Sequence, residues 1–217
     1  LGAQIVIDVA RDFIQNPPSA LRTDPSTELE CLCQRMHEAI NRQSETARST
    51  VVMAWIDHHQ AHWLNIGDSR LYHFRGGQRL MRTRDHSAVQ LLMDLGEINE
   101  SEMATHPAQN RLYRSMGGED TPKPDLGCFS IHTGDLLALC SDGVWEHVTE
   151  SELWITTLLA SDPDTAAQLL TEQATRRGGS AADNATLVLL RANTHDLSSP
   201  SGWLQRLLVG LASLFSR

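Results

Sequence analysis

The chain has no excess of positive charge. Its 18 Lys and Arg stand against 27 Asp and Glu, a formal net charge of -9 over 217 residues. That excludes the basic patch on which nucleic-acid binders depend, but it leaves room for acid gathered around a cation site. Cysteine is scarce. Cys31, Cys33, Cys128 and Cys140 form no C-x-x-C pair, and Cys128 and Cys140 sit in apolar, strand-like runs. They read as buried free thiols in a reducing compartment, the cytoplasm, and not as a disulfide or zinc site. No run of 18 apolar residues and no signal-peptide pattern occurs, so no membrane span is expected. The ten His include no H-E-x-x-H. His58, His59 and His62 read as a solvated hairpin turn and not as a ligand set. There is no internal repeat. What is present is 41% hydrophobic residues, enough for one domain with a real core.

Three carboxylates sit at the ends of apolar runs. Leu136 to Cys140 climbs to Ser141-Asp142-Gly143 and stops, the pattern of a buried strand that delivers its last residue to a turn. Asp68 follows Trp63-Leu64-Asn65-Ile66 in a Gly-Asp-Ser-Arg corner, and Asp183 precedes Asn184 and the run Ala185 to Leu190. Carboxylates at three strand ends can gather at one edge of a sheet. Their hard oxygens suit Mg²⁺ or Mn²⁺.

The chain order supplies the frame. Val6, Val9, Ala10, Phe13 and Ile14 predict a helix that ends at Asn16-Pro17-Pro18. Leu29, Leu32, Cys33, Met36, Ala39 and Ile40 predict a second, capped by Ser26 or Thr27. From Thr50 the period changes. Thr50 to Ile56, Ala61 to Ile66, Leu71 to Phe74 and Gln78 to Arg82 predict an antiparallel meander, with hairpin signals at Asp57 to Gln60 and Gly76-Gly77. Asp85-His86-Ser87 caps a helix through Leu91, Leu92 and Leu95, closed by Gly96. The polar stretch Glu97 to Arg111 reads as a functional loop. Strands at Cys128 to Ile131 and Leu136 to Cys140, helices from Thr149 and from Asp162, and a strand to Leu190 complete an α+β, layered α/β/β/α domain.

Four motifs in this order carry a resemblance. They are Asn65-Ile66-Gly67-Asp68-Ser69-Arg70, Arg84-Asp85-His86-Ser87, Ser141-Asp142-Gly143-Val144-Trp145-Glu146 and Asp183-Asn184-Ala185-Thr186. Over residues 1–192 the chain resembles the metal-dependent protein phosphatases of the type 2C (PPM) family, the compact bacterial kind. The resemblance implies a four-layer αββα sandwich of two antiparallel sheets. It implies hydrolysis of phosphoserine and phosphothreonine in proteins, opposing a bacterial Ser/Thr kinase, with two or three Mg²⁺ or Mn²⁺ ions. Asp142 and Asp183 resemble ligands of the dinuclear centre, and Asp68 a ligand of a third site shared with Asp142. Residues 90–112 resemble the flap beside the active site. Neither a Cys-x₅-Arg loop nor a G-x-S-x-G elbow is present.

The family's early acidic motif, its metal-bridging Asp-Gly strand, its phosphate-binding Arg and its general-acid His have no counterpart here. Leu1 falls in mid-pattern. The sequence therefore reads as a domain over 1–194 that lacks its N-terminal strands. The other reading is a pseudophosphatase or scaffold that binds a phosphoprotein without turnover. Residues 195–202 read as a linker. Trp203, Leu204, Leu207, Leu208, Leu211, Leu214 and Phe215 predict an amphipathic helix over 203–217. It docks on the domain or on a partner, and its few cations disfavour a membrane.

Overall fold

A computed structural model describes residues 1–57, 59–181, 183–193 and 206–210. Two helices lead, α1 (Gly2–Gln15) and α2 (Pro25–Gln43). The cap of α2 is Asp24, whose carboxylate accepts the Thr27 N–H at 3.2 Å with Pro25 at the first helical position. Ser26 and Thr27 lie inside the helix, because proline preorganises the turn one residue earlier.

The strands follow, β1 (Val51–Asp57), β2 (Gln60–Ile66), β3 (Arg70–Arg75) and β4 (Gln78–Arg82). After α3 (Ala88–Asp94) come β5 (Asp125–Ser130) and β6 (Leu136–Cys140), then α4 (Asp142–Trp145), α5 (Glu150–Leu159), α6 (Pro163–Gly178) and β7 (Leu187–Arg191). The expected meander is split. β1 pairs with β2 and β3 with β4, but β2 and β3 belong to different sheets, and the chain crosses between them at Gly67-Asp68-Ser69. Gly67 has φ +106°, and a Cβ there would lie 2.2 Å from Thr50 Cγ2. Only glycine allows that crossing.

With β8 (Arg206–Gly210), each sheet has four strands, in the orders β5-β2-β1-β8 and β4-β3-β6-β7, with every pairing antiparallel. The period of two sorts the side chains into layers. Val51, Met53 and Trp55 face α1 and α2, while Val52 and Ala54 face the second sheet. Leu137 and Leu139 fill the space between the sheets, and Leu136, Ala138 and Cys140 face Leu153 of α5 and Leu170 of α6. The architecture is the αββα sandwich.

Four expectations change. Residues 206–210 form β8, antiparallel to β1, and not part of a helix over 203–217. The run Leu207-Leu208-Val209 is too short for periodicity to separate strand from helix, and a sheet edge offers backbone partners that a helix cannot use. The rest of 194–217, like His58 and Ala182, lies outside the described residues. Cys31 and Cys128 are exposed, the latter because β5 is an edge strand; only Cys33 and Cys140 are buried. Leu91 and Leu95, expected along the helix after Ser87, are exposed, and Leu95 caps its C-terminus. His62 lies within β2 and not in a turn. Its Nδ1 is buried without a partner, and burial lowers its pKa despite nearby Asp57.

At the end of the second sheet away from Asp142, the buried Asp135 carboxylate accepts bonds from Arg75 Nε at 2.7 Å and from the His132 N–H at 2.9 Å. His73 Nε2 lies 2.8 Å from it. Burial pushes this carboxyl up, but those partners outweigh it and hold it at about 2. A depressed folded pKa contributes stability above the unfolded value, about 4. That contribution disappears as pH falls through about 2. Asp135→Asn should therefore cost about 1–2 kcal/mol in urea unfolding at pH 7, discounted because Arg75 is 41% exposed. The gap between wild type and variant should close between pH 4 and 2.

Candidate metal centre

The two sheets bring the motif ends together. Ser141 caps α4 without a capping bond, because its hydroxyl is used elsewhere. Ser141 Oγ donates to the Asn184 carbonyl at 3.0 Å and accepts the Thr186 N–H at 3.0 Å. The Ser141 N–H reaches the Thr186 carbonyl at 3.0 Å. These bonds tie the turn before Asp142 to the turn after Asp183. Gly143 makes the approach possible, since a Cβ there would sit 2.9 Å from the Asn184 carbonyl oxygen.

The Asp68 corner is fixed to the same helix. Trp145 Nε1–H donates to the Asp68 carbonyl at 2.9 Å. Arg70 lies with its guanidinium 3.6 Å from the centre of the Trp145 ring. Arg70 also binds Asp85 through Nε at 3.0 Å and through Nη2 at 2.7 Å, with both side chains buried. Its guanidinium is therefore bound within the protein. His86 closes the back of the corner. Its Nδ1 accepts the Gly67 N–H at 3.1 Å, which leaves Nε2 to carry the proton toward Asp125 at 3.3 Å.

Asp68, Asp142 and Asp183 thus share one edge. Asp68 is 5% exposed, while Asp183 is exposed. Glu146, one helical turn beyond Asp142, joins them. Burial, then Asp142 and Asp85, push the Asp68 carboxyl well up. Burial raises Asp142 to about 6 against the bond from the Gly143 N–H, with Asp183 adding to the rise. Burial, Asp142 and Asp183 raise Glu146 to about 7. Among the described residues, Asp68, Asp142 and Glu146 make no ion pair. Nor do any three His, Cys, Asp or Glu among the described residues close into a metal cage. Crowded carboxylates without a counter-ion fit a hard divalent cation, and their oxygens suit Mg²⁺ or Mn²⁺. The site is an open part-cage.

Glu146 was missed as a site residue because Ser141 to Glu146 reads as a turn. Recognising α4 would have placed positions 142 and 146 on one face. Nothing in the pattern signals the Ser141 bridge.

A scan against protein-family models matches none. The chain is 34% identical over 172 residues to the protein phosphatase PhpP of Streptococcus pneumoniae serotype 2, spanning 77% of this chain and 68% of that protein. It is 32% identical over 145 residues to the serine/threonine phosphatase stp of Listeria innocua, 67% of this chain and 57% of the relative. Its fold matches the crystal structure of the Mycobacterium tuberculosis serine/threonine phosphatase PstP/Ppp with a TM-score of 0.77 at 27% identity, over 88% of this chain and 81% of that one. The chain belongs to the type 2C (PPM) family of protein phosphatases, metal-dependent hydrolases of phosphoserine and phosphothreonine.

The raised carboxyl of Asp142 has a testable sign. A folded pKa of about 6 lies above the unfolded value, so the fold prefers the protonated form. The ionised form costs stability, from nothing below about pH 4 to its full extent above about pH 6. In the cation-free chain, Asp142→Asn should raise stability by about 1–2 kcal/mol at pH 8 and leave it unchanged at pH 4. A loss at pH 8 would make Asp142 an ordinary turn residue.

Proposed function

We propose that Asp142, Asp183 and Asp68 hold Mg²⁺ or Mn²⁺, two or three ions in all, and that the site removes phosphate from serine and threonine residues of a protein substrate. The observation that carries this reading is the burial of Asp68, Asp142 and Glu146 with no cation among the described residues to pair them, at the edge where the motif turns meet; burial first and neighbouring carboxylates second raise all three. Partners depress the structural carboxylate Asp135, whereas burial, and after it the neighbouring acids, raise these. Glu146 faces the same cluster and is a further oxygen donor for it.

When bound, such cations activate a water near neutral pH and offset the charge of an anionic transition state. The chain's own residues do the positioning. Ser141 and Gly143 keep the Asp142 and Asp183 turns in register, and Trp145 holds the Asp68 corner against α4. No protein nucleophile is required, in keeping with the buried state of Cys140, whose thiol burial pushes up to about 12. The phosphoprotein comes from a Ser/Thr kinase that this enzyme opposes. Exposed free thiols at Cys31 and Cys128 support a reducing, cytoplasmic setting. No described helix is long and apolar enough to cross a membrane. The intact carboxylates favour turnover over the pseudophosphatase reading.

The arginine clamp and general-acid histidine of the resemblance are unmatched in this chain, so turnover is tested in the product of the complete reading frame. Phosphate release from a phosphothreonine peptide should need Mn²⁺ or Mg²⁺ and stop with EDTA in the product of the complete reading frame. Asp142→Asn and Asp183→Asn should each lower it by about 100-fold or more. Turnover that survives either substitution, or EDTA, would contradict the assignment.

A further inference from the structure

The polar loop expected to be functional contains a short 3-10 segment, Glu100–Thr105, anchored by the buried Met103. Arg70 Nη2 lies 3.8 Å from the Met103 sulfur. A cavity of about 490 Å³ separates this segment from the turn between α4 and α5. Glu100, Ser101 and Ala104 line one wall; Trp145, Glu146 and Glu150 line the other. Glu146, whose carboxyl Asp142 and Asp183 raise, is shared between this cavity and the acidic cluster.

One side chain spans the two walls. Arg79, on β4, donates from Nη1 to Glu100 Oε1 at 2.8 Å and Oε2 at 3.0 Å, and from the same nitrogen to Glu150. Arg82 also meets Glu100 at 3.0 Å, but its other contacts run inward, to Gln90 and Asp85. Among the described residues, Arg79 alone connects the loop segment to the start of α5. Glu150 is held there by the Thr149–Glu152 capping box, which fixes the first turn of α5.

We propose that Arg79 is a positioning residue: a strut that sets the width of this cavity and thereby seats the stretch of protein substrate flanking the phosphorylated residue. The substrate part rests on the phosphatase reading, while the strut itself does not. The bridge is partly exposed, at 34% for Arg79, 36% for Glu100 and 32% for Glu150. It is therefore strong enough to bias the segment and weak enough to yield. Burial raises the Glu100 carboxyl, yet Arg82 and Arg79 together bring it below its ordinary value, so the bridge carries charge on both sides.

The test compares Arg79→Met with Arg79→Lys. All three bonds leave one nitrogen, so a lysine ammonium can replace them and methionine cannot. In amide hydrogen exchange on this chain, Arg79→Met should speed residues 100–105 about threefold to tenfold, leave the sheets unchanged, and be rescued by lysine. In the product of the complete reading frame, Arg79→Met should raise KM for a phosphothreonine peptide by a similar factor. Neither kcat nor the kinetics of p-nitrophenyl phosphate, which has no flanking residues, should change. Unaltered exchange overturns the strut whatever the activity. Faster exchange with an unaltered peptide KM overturns its role toward substrate. A wild type without turnover refutes the phosphatase reading and the substrate role together, and exchange alone then decides the strut.

Discussion

One buried guanidinium joins the parts of this protein that are far apart in sequence. Arg70 leaves the Gly-Asp-Ser-Arg corner, grips Asp85 of the Arg-Asp-His-Ser motif, covers Trp145 of the Ser-Asp-Gly motif and reaches Met103 in the loop beside the site. Tyr72 takes a fourth direction at 3.1 Å. A charge this deep is tolerable only when fully bonded, and removal of any partner leaves the rest uncompensated. Burial lowers the Arg70 pKa, and the Asp85 carboxylate more than restores it. The position of Asp68 follows from this arrangement, because Trp145 both carries the guanidinium and holds the Asp68 backbone.

The carboxylates beyond Arg70 are treated in the opposite way. Asp85 and Asp135 are buried with cations and stabilise the fold. Asp68, Asp142 and Glu146 are crowded with like charges and strain it. A fold keeps such a conflict where the group it accommodates is not part of the chain. Asp135 stands at the far end of the second sheet, while Asp85, bound to Arg70, stands beside the site and supports it.

Much of this was legible in the residues. The unbroken apolar runs Val51 to Ile56 and Leu136 to Cys140 mark strands with two buried faces, and that alone implies layers on both sides of each sheet. Asp68, Asp142 and Asp183 stand out because each borders an apolar run. The split of the meander was not legible. Gly67-Asp68-Ser69 looks like a hairpin corner, and only the clash a Cβ would make with Thr50 shows that the chain changes sheets there. Glu146 was hidden by a four-residue helix too short to show a period. The strand at 206–210 was hidden because a run of three apolar residues fits either period, and its partner β1 lies some 150 positions away. Long-range pairing of this kind leaves no local mark.

The central claim is that the carboxylate edge is built to receive a divalent cation. Thermal unfolding of this chain at pH 7.5 against increasing Mn²⁺ tests it most directly, since a ligand bound only by the folded state stabilises by mass action. The account predicts a midpoint that climbs steadily with the logarithm of Mn²⁺ concentration, returns with EDTA, and stays flat in Asp142→Asn. A wild-type midpoint indifferent to Mn²⁺, or a climb that Asp142→Asn shares in full, would contradict it.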